Sequence, residues 1–292
     1  MVFPHPSAKT VGMRSGCRGT NSAHECRDAA GHQARKGENV FVACSTLCFG
    51  KYPLEQALRK IDELRFAKVD LAIHEEGTHL KPSHVASDVN RTASYLRGVC
   101  SLAVAAFHVH IHGNADEHLR QLRAVCRLAR LTTVPVVSVS APPASMDMGS
   151  AVHELTEKVK IARGDGVILA IDTEVGTLAE TPETTVELCE KVPGLGVALD
   201  PSHYLVGPAR GRSFDDVYPY VRHVRLRDTG ATPNEFQVRV GQGQIDYGRI
   251  ISVLERYHYD RLLSVDIRDI PDGPYPMEPE VRKLKYLLES LV

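Results

Sequence analysis

The chain has 292 residues, enough for one large domain or two small ones, with 43% hydrophobic and 24% charged residues, the balance of an ordinary globular protein. A formal net charge of −1 gives no electrostatic case for nucleic acid or an anionic membrane surface, and no apolar run approaches the roughly 20 residues of a membrane helix. The seven cysteines are scattered and form no CxxC pair, which argues for reduced intracellular thiols and against a disulfide framework or zinc knuckle.

Residues 1–38 are rich in Gly, Ser, Ala, Arg and His and lack hydrophobic periodicity. They carry no signal-peptide pattern and are expected to form a disordered extension, leaving 39–292 as the folded domain and the cytoplasm as the expected compartment. From residue 39 strands and helices alternate. Strand-like Val40–Phe49 precedes a helix over Pro53–Phe66, whose Leu54, Ala57, Leu58, Ile61 and Leu64 share one face. Val69–Ile73 leads to a helix over Pro82–Arg97, Leu102–Ile111 to Glu117–Arg130, and Val134–Val139 to Ala151–Arg163. Val167–Ile171 leads to Pro182–Lys191, and Gly196–Leu199 to a short segment near Phe214–Tyr218. Val221–Leu226 leads to Tyr247–Tyr257, and Leu262–Ile267 to Pro279–Leu291. Eight such units over about 250 residues, with strands that read as apolar on both faces, predict a (β/α)8 TIM barrel. A doubly wound sheet is the competitor, but Ser45–Gly50 after the first strand is no glycine-rich phosphate fingerprint.

In such a barrel the active site lies at the C-terminal ends of the strands, and polar residues collect there. The second strand ends in His74, Glu75, Glu76 and His79; the third carries His108, His110 and His112, which share a face. The fifth ends in Asp172 and Glu174, the sixth in Asp200 and His203. The seventh carries His223, Arg225 and Arg227, and the eighth ends in Asp266, Arg268 and Asp269. Carboxylates and imidazoles in a ring suit a divalent cation, and a neighbouring carboxylate could then remove the proton beside a carbonyl. Taken singly, each has a plainer reading as a helix cap, a backbone partner or a structural ion pair. Gly241-Gln242-Gly243 reads as a turn before a helix, or as a backbone loop closing over a substrate.

Five stretches together resemble the xylose-isomerase-like TIM-barrel superfamily: VDLAIHEEGTHLKPSHV (69–85), LAIDTEVGTLAETP (169–182), LDPSH (199–203), HVRLRD (223–228) and VGQGQIDY (240–247). That superfamily holds sugar isomerases, ketose 3-epimerases, inosose dehydratases and DNA-repair enzymes of the endonuclease IV type. The resemblance implies a sugar or sugar-derivative isomerase or epimerase acting by proton transfer next to a carbonyl, aided by a divalent metal (Mn, Mg, Co or Zn). It implies a small carbohydrate substrate and, as in many such barrels, a homodimer. A keto-sugar or cyclitol dehydratase, or a non-catalytic carbohydrate-binding barrel, are the alternatives.

Epimerase-type relatives hold the metal with Glu, Asp, His and Glu on strands five to eight. Carried over, the metal ligands are Asp172, Asp200, His223 and Asp266, and the catalytic acid/base groups Asp172, Glu174 and Asp266. His203, Arg225, Arg227, His110 and Glu75 are the candidate substrate contacts. Three positions depart from the pattern. Asp172 and Asp266 stand where Glu is usual, and Arg225 stands where the second His of a His-x-His pair is the ligand. His223 sits roughly 6–7 Å farther back along the strand. A guanidinium at position 225 would repel a metal, or replace its charge at a carboxylate, phosphate or sugar acid.

Overall fold

The structure, a computed structural model, describes residues 40–233, 235–269 and 275–292. The extension expected over 1–38 lies outside the described residues. Eight strands close into one parallel barrel in sequential order: β1 (Phe41–Ser45), β2 (Lys68–His74), β3 (Ala103–His110), β4 (Val136–Ser140), β5 (Ile168–Asp172), β6 (Gly196–Leu199), β7 (Val221–Leu226) and β8 (Leu262–Val265). β8 pairs back onto β1, so the sheet has no open edge.

Period-2 alternation sorts each strand into an outer and an inner set. Leu71 and Ile73, Phe107 and Val109, Leu169 and Ile171, and Val224 and Leu226 are buried together with apolar faces of the surrounding helices. Helix α1 (Leu54–Glu63) supplies Leu54, Ala57, Leu58 and Ile61 to that layer, the face predicted from spacing. The inner set differs from the expectation of strands apolar on both faces. A small apolar cluster of Ala106, Val136, Ala170 and Ala198 fills part of the lumen. Beside it, Asp70, His108, Ser138, Asp172, His223, Arg225 and Ser264 are all buried. Polar side chains are tolerated there because strands facing one another across a narrow barrel can satisfy each other's hydrogen bonds.

Two helix expectations change. The single helix expected over Pro82–Arg97 is two, α2 (Pro82–Ser87) and α3 (Val89–Val99). Asp88 between them is extended (φ −158°, ψ 93°), and its carboxylate accepts from the Arg91 amide at 2.9 Å, capping the second helix. Helices α4 (Ala115–Leu131), α5 (Met148–Gly164) and α6 (Pro182–Lys191) match their predicted positions. An unpredicted short helix, α7 (Pro201–Val206), follows β6, with Asp200 as N-cap and Pro201 in its first turn. The segment near Phe214–Tyr218 is a 3-10 helix over Asp215–Tyr220. Helices α8 (Tyr247–Arg256) and α9 (Met277–Glu289) complete the ring. Among the described residues no helix is long and apolar enough to cross a membrane, and the five cysteines are unpaired.

The Gly-Gln-Gly turn is built around Asp228. Its Oδ2 accepts from the amides of Gly241 (2.7 Å) and Gly243 (3.0 Å), and its Oδ1 from Thr229 (3.0 Å). These amides are therefore committed to the chain itself, not offered to a substrate. A Cβ at Gly243 would lie 2.1 Å from Asp228 Oδ1, so only glycine fits. Asp228→Ala, which strands three amide donors, is expected to cost about 2–4 kcal/mol in urea unfolding, and Gly243→Ala to lower stability as well. Wild-type midpoints for both would contradict this account of the turn.

Candidate active site

A cavity of about 310 Å³ opens at the C-terminal mouth, walled by residues that β3, β5, β6, β7 and the loop after β8 bring together. Arg225 lies at its floor and is 3% exposed. Its Nε donates to Asp70 Oδ2 at 2.7 Å, its Nη1 to Asp172 Oδ1 at 2.6 Å and its Nη2 to Ser138 Oγ at 2.8 Å. One guanidinium thus ties β7 to β2, β4 and β5. His223, one inner position below, places Nε2 2.8 Å from the same Asp70 oxygen and 3.2 Å from Ser264 Oγ. Burial alone would raise the Asp70 carboxyl, but Arg225 and His223 outweigh it and hold it well below the usual carboxylate range.

The neighbouring arginine repeats the device nearer the rim. Arg227 pairs through Nη2 with Asp200 Oδ2, and its Nε donates to Ser202 Oγ at 3.2 Å. The other Asp200 oxygen accepts from the Ser202 amide (3.0 Å) and hydroxyl (2.5 Å). Burial opposes ionisation of Asp200, yet Arg227 and His203 keep its carboxyl below the ordinary value. His203 accepts from the Val175 amide at Nδ1 (3.3 Å) and brings Nε2 within 3.3 Å of Arg227, its ring 5.0 Å from that of Phe236. Arg268 faces Asp266 at 2.9 Å while its own side chain stays 31% exposed. Gln237 holds the Arg268 backbone on both sides, accepting from its amide (2.6 Å) and donating to its carbonyl (3.0 Å).

Among the described residues, Glu174 is the carboxyl group on the cavity wall that no arginine holds by hydrogen bond or ion pair. Ser140 Oγ lies 3.3 Å from it, and burial followed by the charge of Asp172 raises its pKa. On the other side three imidazoles pack together. The rings of His74 and His110 stack at 4.1 Å, and His108 stands edge-on to both at 4.7 and 4.8 Å. All three are pushed toward neutrality, His74 to about 2 by burial and His110, His108 by burial and Arg225, and His110 by burial and Arg268.

The structure brings Asp172, Glu174, Asp200, His203, Arg225, Arg227 and His110 to one cavity. It corrects four expectations. His223 is no ligand at the mouth, because it lies beneath Arg225 and is spent on Asp70. Asp266 does not wall the cavity, and its carboxylate faces Arg268. Glu75 is turned away to Ser83, accepting from its hydroxyl at 2.6 Å and its amide at 3.1 Å. Arg225 is no free anion receptor, because its donors are taken by Asp70, Asp172 and Ser138. Asp70, Ser138 and Phe236 were not singled out from sequence. Asp70 shares the inward parity of His74, which was the available signal; Phe236 sits in a loop that offers none.

A (β/α)8 barrel with a polar mouth walled by carboxylates, arginines and imidazoles is the class that fold and site define. The chain belongs to the xylose isomerase-like TIM barrel family, whose profile matches residues 101–287. No curated protein matches it in sequence. Among solved structures, the probable 3-DHS dehydratase AsbF of Bacillus anthracis superposes with a TM-score of 0.65 at 15% identity, over 86% of this chain and 99% of its own. A D-tagatose 3-epimerase-like protein does so with a TM-score of 0.64 at 21% identity, over 86% and 98%. A xylose isomerase-like TIM barrel protein from Mycobacterium smegmatis, in complex with magnesium, gives 0.65 at 16% identity, over 87% and 98%. At these identities the likeness is one of fold.

The metal quartet implied by the resemblance does not fit the residues present. Arg225 donates to Asp172, Arg227 and Ser202 occupy both oxygens of Asp200, and neither His223 nor Asp266 reaches the cavity wall. A cation placed among these groups would meet two guanidinium groups.

Removing the charge at position 225 strands two carboxylates. Arg225→Met is expected to cost about 3–5 kcal/mol. In a double-mutant cycle with Asp70→Asn the two losses should fall short of additive by about 1 kcal/mol or more. Additive losses would show that the pair is not coupled. pH adds a second check. Histidines neutral when folded but titrating when unfolded withdraw stability as pH falls below about 6.5, each by up to about 1.4 kcal/mol per pH unit. Asp70, depressed when folded, contributes fully in that window and loses its contribution only as pH falls below about 4. With chelator present, stability should be flat above about pH 7 and fall steeply from about 6.5 to 5, and His108→Asn should make that fall shallower. An unchanged slope in the variant would contradict the burial of a neutral His108.

Proposed function

We propose that the protein is a sugar or sugar-derivative isomerase or epimerase that moves a proton on a carbon next to a carbonyl, with Glu174 as the base. The observation that carries this reading is the state of Glu174: on the cavity wall, bonded among the described residues only to a serine hydroxyl, with its pKa raised by burial and by Asp172. A carboxyl group so placed is a better proton acceptor than an ion-paired one. The family supports sugar chemistry, and a D-tagatose 3-epimerase-like protein is among the structures of like fold.

The remaining groups have roles that follow from their partners. Arg268, partly exposed and fixed by Gln237 and Asp266, points positive charge at the cavity in which an enolate oxygen would develop. Arg227 adds a second positive group, held by Asp200 and Ser202. His203 and His110 offer neutral imidazoles to substrate hydroxyls, and Phe236 an apolar face to a sugar ring. Asp172 and Asp200, both ion-paired, set the field and position the arginines. An uncharged keto sugar suits this mouth better than a sugar phosphate, because its arginines are already neutralised by carboxylates.

The test is exchange of the carbon-bound proton with deuterated solvent, followed by NMR over a panel of ketoses and keto sugars. At least one should exchange and yield an isomer with every oxygen retained. Glu174→Gln should slow exchange by about 10²–10⁴-fold while leaving the melting temperature within a few degrees. The acid limb of the rate should lie above the ordinary carboxylate range of about 4.3, as the raised Glu174 pKa requires. Loss of a hydroxyl from the product would indicate a dehydratase instead, and full activity in Glu174→Gln would remove the base.

A further inference from the structure

We infer that the opposite, N-terminal mouth of the barrel holds a binding site for hydrogen phosphate, an oxyanion that carries its own O–H. A cavity of about 290 Å³ opens there at the starts of β1, β2, β7 and β8, walled by Phe41, Lys68, Arg222, Asp260 and Arg261, and it reaches inward to His223. A groove of about 560 Å³ adjoins it beside the ends of α3 and α4 and shares Lys68 and Leu262 with it. Three cations thus meet one carboxylate. Lys68, Arg222 and Arg261 are half-buried, and among the described residues none of them has a carboxylate at ion-pair distance. Lys68 Nζ sits 4.1 Å from the centre of the Phe41 ring. Arg222 donates through Nη1 to the carbonyls of Pro219 (3.0 Å) and Val221 (2.8 Å), which leaves its Nε and Nη2 without a partner among the described residues. Both side chains are held in place without being neutralised, which is what an anion site requires.

The group that selects phosphate among anions is His223. Its ring is 1% exposed and lies at the inner end of the cavity. Its hydrogen bonds run through Nε2, 2.8 Å from Asp70 Oδ2 and 3.2 Å from Ser264 Oγ. An ionised carboxylate only accepts, so the ring proton sits on Nε2 facing Asp70. Nδ1 is left as a lone-pair acceptor, with no partner among the described residues. Negative oxygens on the cations together with a hydroxyl on Nδ1 form the pattern of hydrogen phosphate. Sulfate has the charge but no proton to give. The two carboxylates nearby do not cancel the attraction: Asp70 lies behind the ring and is paired with Arg225 at 2.7 Å, and Asp260 is exposed to solvent. The bound anion is joined to the floor of the active cavity through two side chains, His223 and Asp70, which end on Arg225. The site lies beneath the reacting groups rather than among them.

The inference does not depend on the reaction proposed above, because its readout is binding. Full-length protein, dialysed free of phosphate, is titrated with inorganic phosphate by calorimetry near neutral pH, and in parallel with sulfate. The expected result is one saturable equivalent of phosphate per chain, with sulfate at least about 10-fold weaker for want of the proton that meets Nδ1. Lys68→Gln and Arg261→Gln should each weaken phosphate about 5–20-fold, with circular dichroism and melting temperature confirming the fold. Asp260→Asn, which removes the one opposing charge, should tighten it about twofold or more. Arg268→Gln, at the other mouth of the barrel, should leave phosphate affinity within about twofold. The inference is overturned if phosphate shows no saturable binding, if sulfate binds as tightly, or if Arg268→Gln abolishes binding while Lys68→Gln and Arg261→Gln do not.

Discussion

The buried guanidinium of Arg225 is the interaction on which the rest of the site depends. It bonds to Asp70, Asp172 and Ser138, and so joins four strands across the lumen. A buried arginine of this kind is costly to desolvate, and it is stable only because a planar fork of donors meets two carboxylates and a hydroxyl at once. Lysine could not replace it, having one point charge where two carboxylates on different strands must be reached. Its presence decides what its neighbours can do. Asp172 has one oxygen neutralised and one left over, and His223 is confined below with Asp70.

The same logic extends outward in steps. Arg227 neutralises Asp200 and Arg268 faces Asp266, so each carboxylate carried over from the family's metal quartet has an arginine of its own. Glu174, two residues beyond Asp172, escapes this pairing, and its raised pKa follows from that isolation and from burial. In the proposed reading the base and the positive groups are separate side chains, where a metal-centred site would merge binding and proton transfer in the same carboxylates. The imidazoles of β2 and β3 pack against one another beside Asp172, with His74 Nε2 and His108 Nδ1 short of hydrogen-bond partners.

Much of this was legible in the sequence. Strand–helix alternation from residue 39 and polar residues just past each apolar run are enough for a barrel and for the side of it that carries the site. Asp172, Glu174, Asp200, His203, Arg227 and His110 follow from position at strand ends. The lumen was harder to read. Asp70 sits inside Val-Asp-Leu-Ala-Ile and looks like a lone polar residue in a buried strand, because its partners Arg225 and His223 are more than 150 residues away. Glu75 misled for the opposite reason: it stands beside His74 in sequence, but one step along a strand end turns it outward, where Ser83 and the start of α2 capture it. His223 misled because the strand's two-residue repeat fixes its height in the barrel, and only the occupant above it, Arg225, shows that it cannot rise to the mouth.

The most direct measurement is a crystal structure of the protein grown with cobalt, with anomalous difference density collected at the cobalt edge. The account predicts the guanidinium of Arg225 in density between Asp70 and Asp172, and no peak among Asp172, Asp200 and Asp266. A peak among Asp172, Asp200 and Asp266, with Arg225 swung out of the lumen, would contradict it.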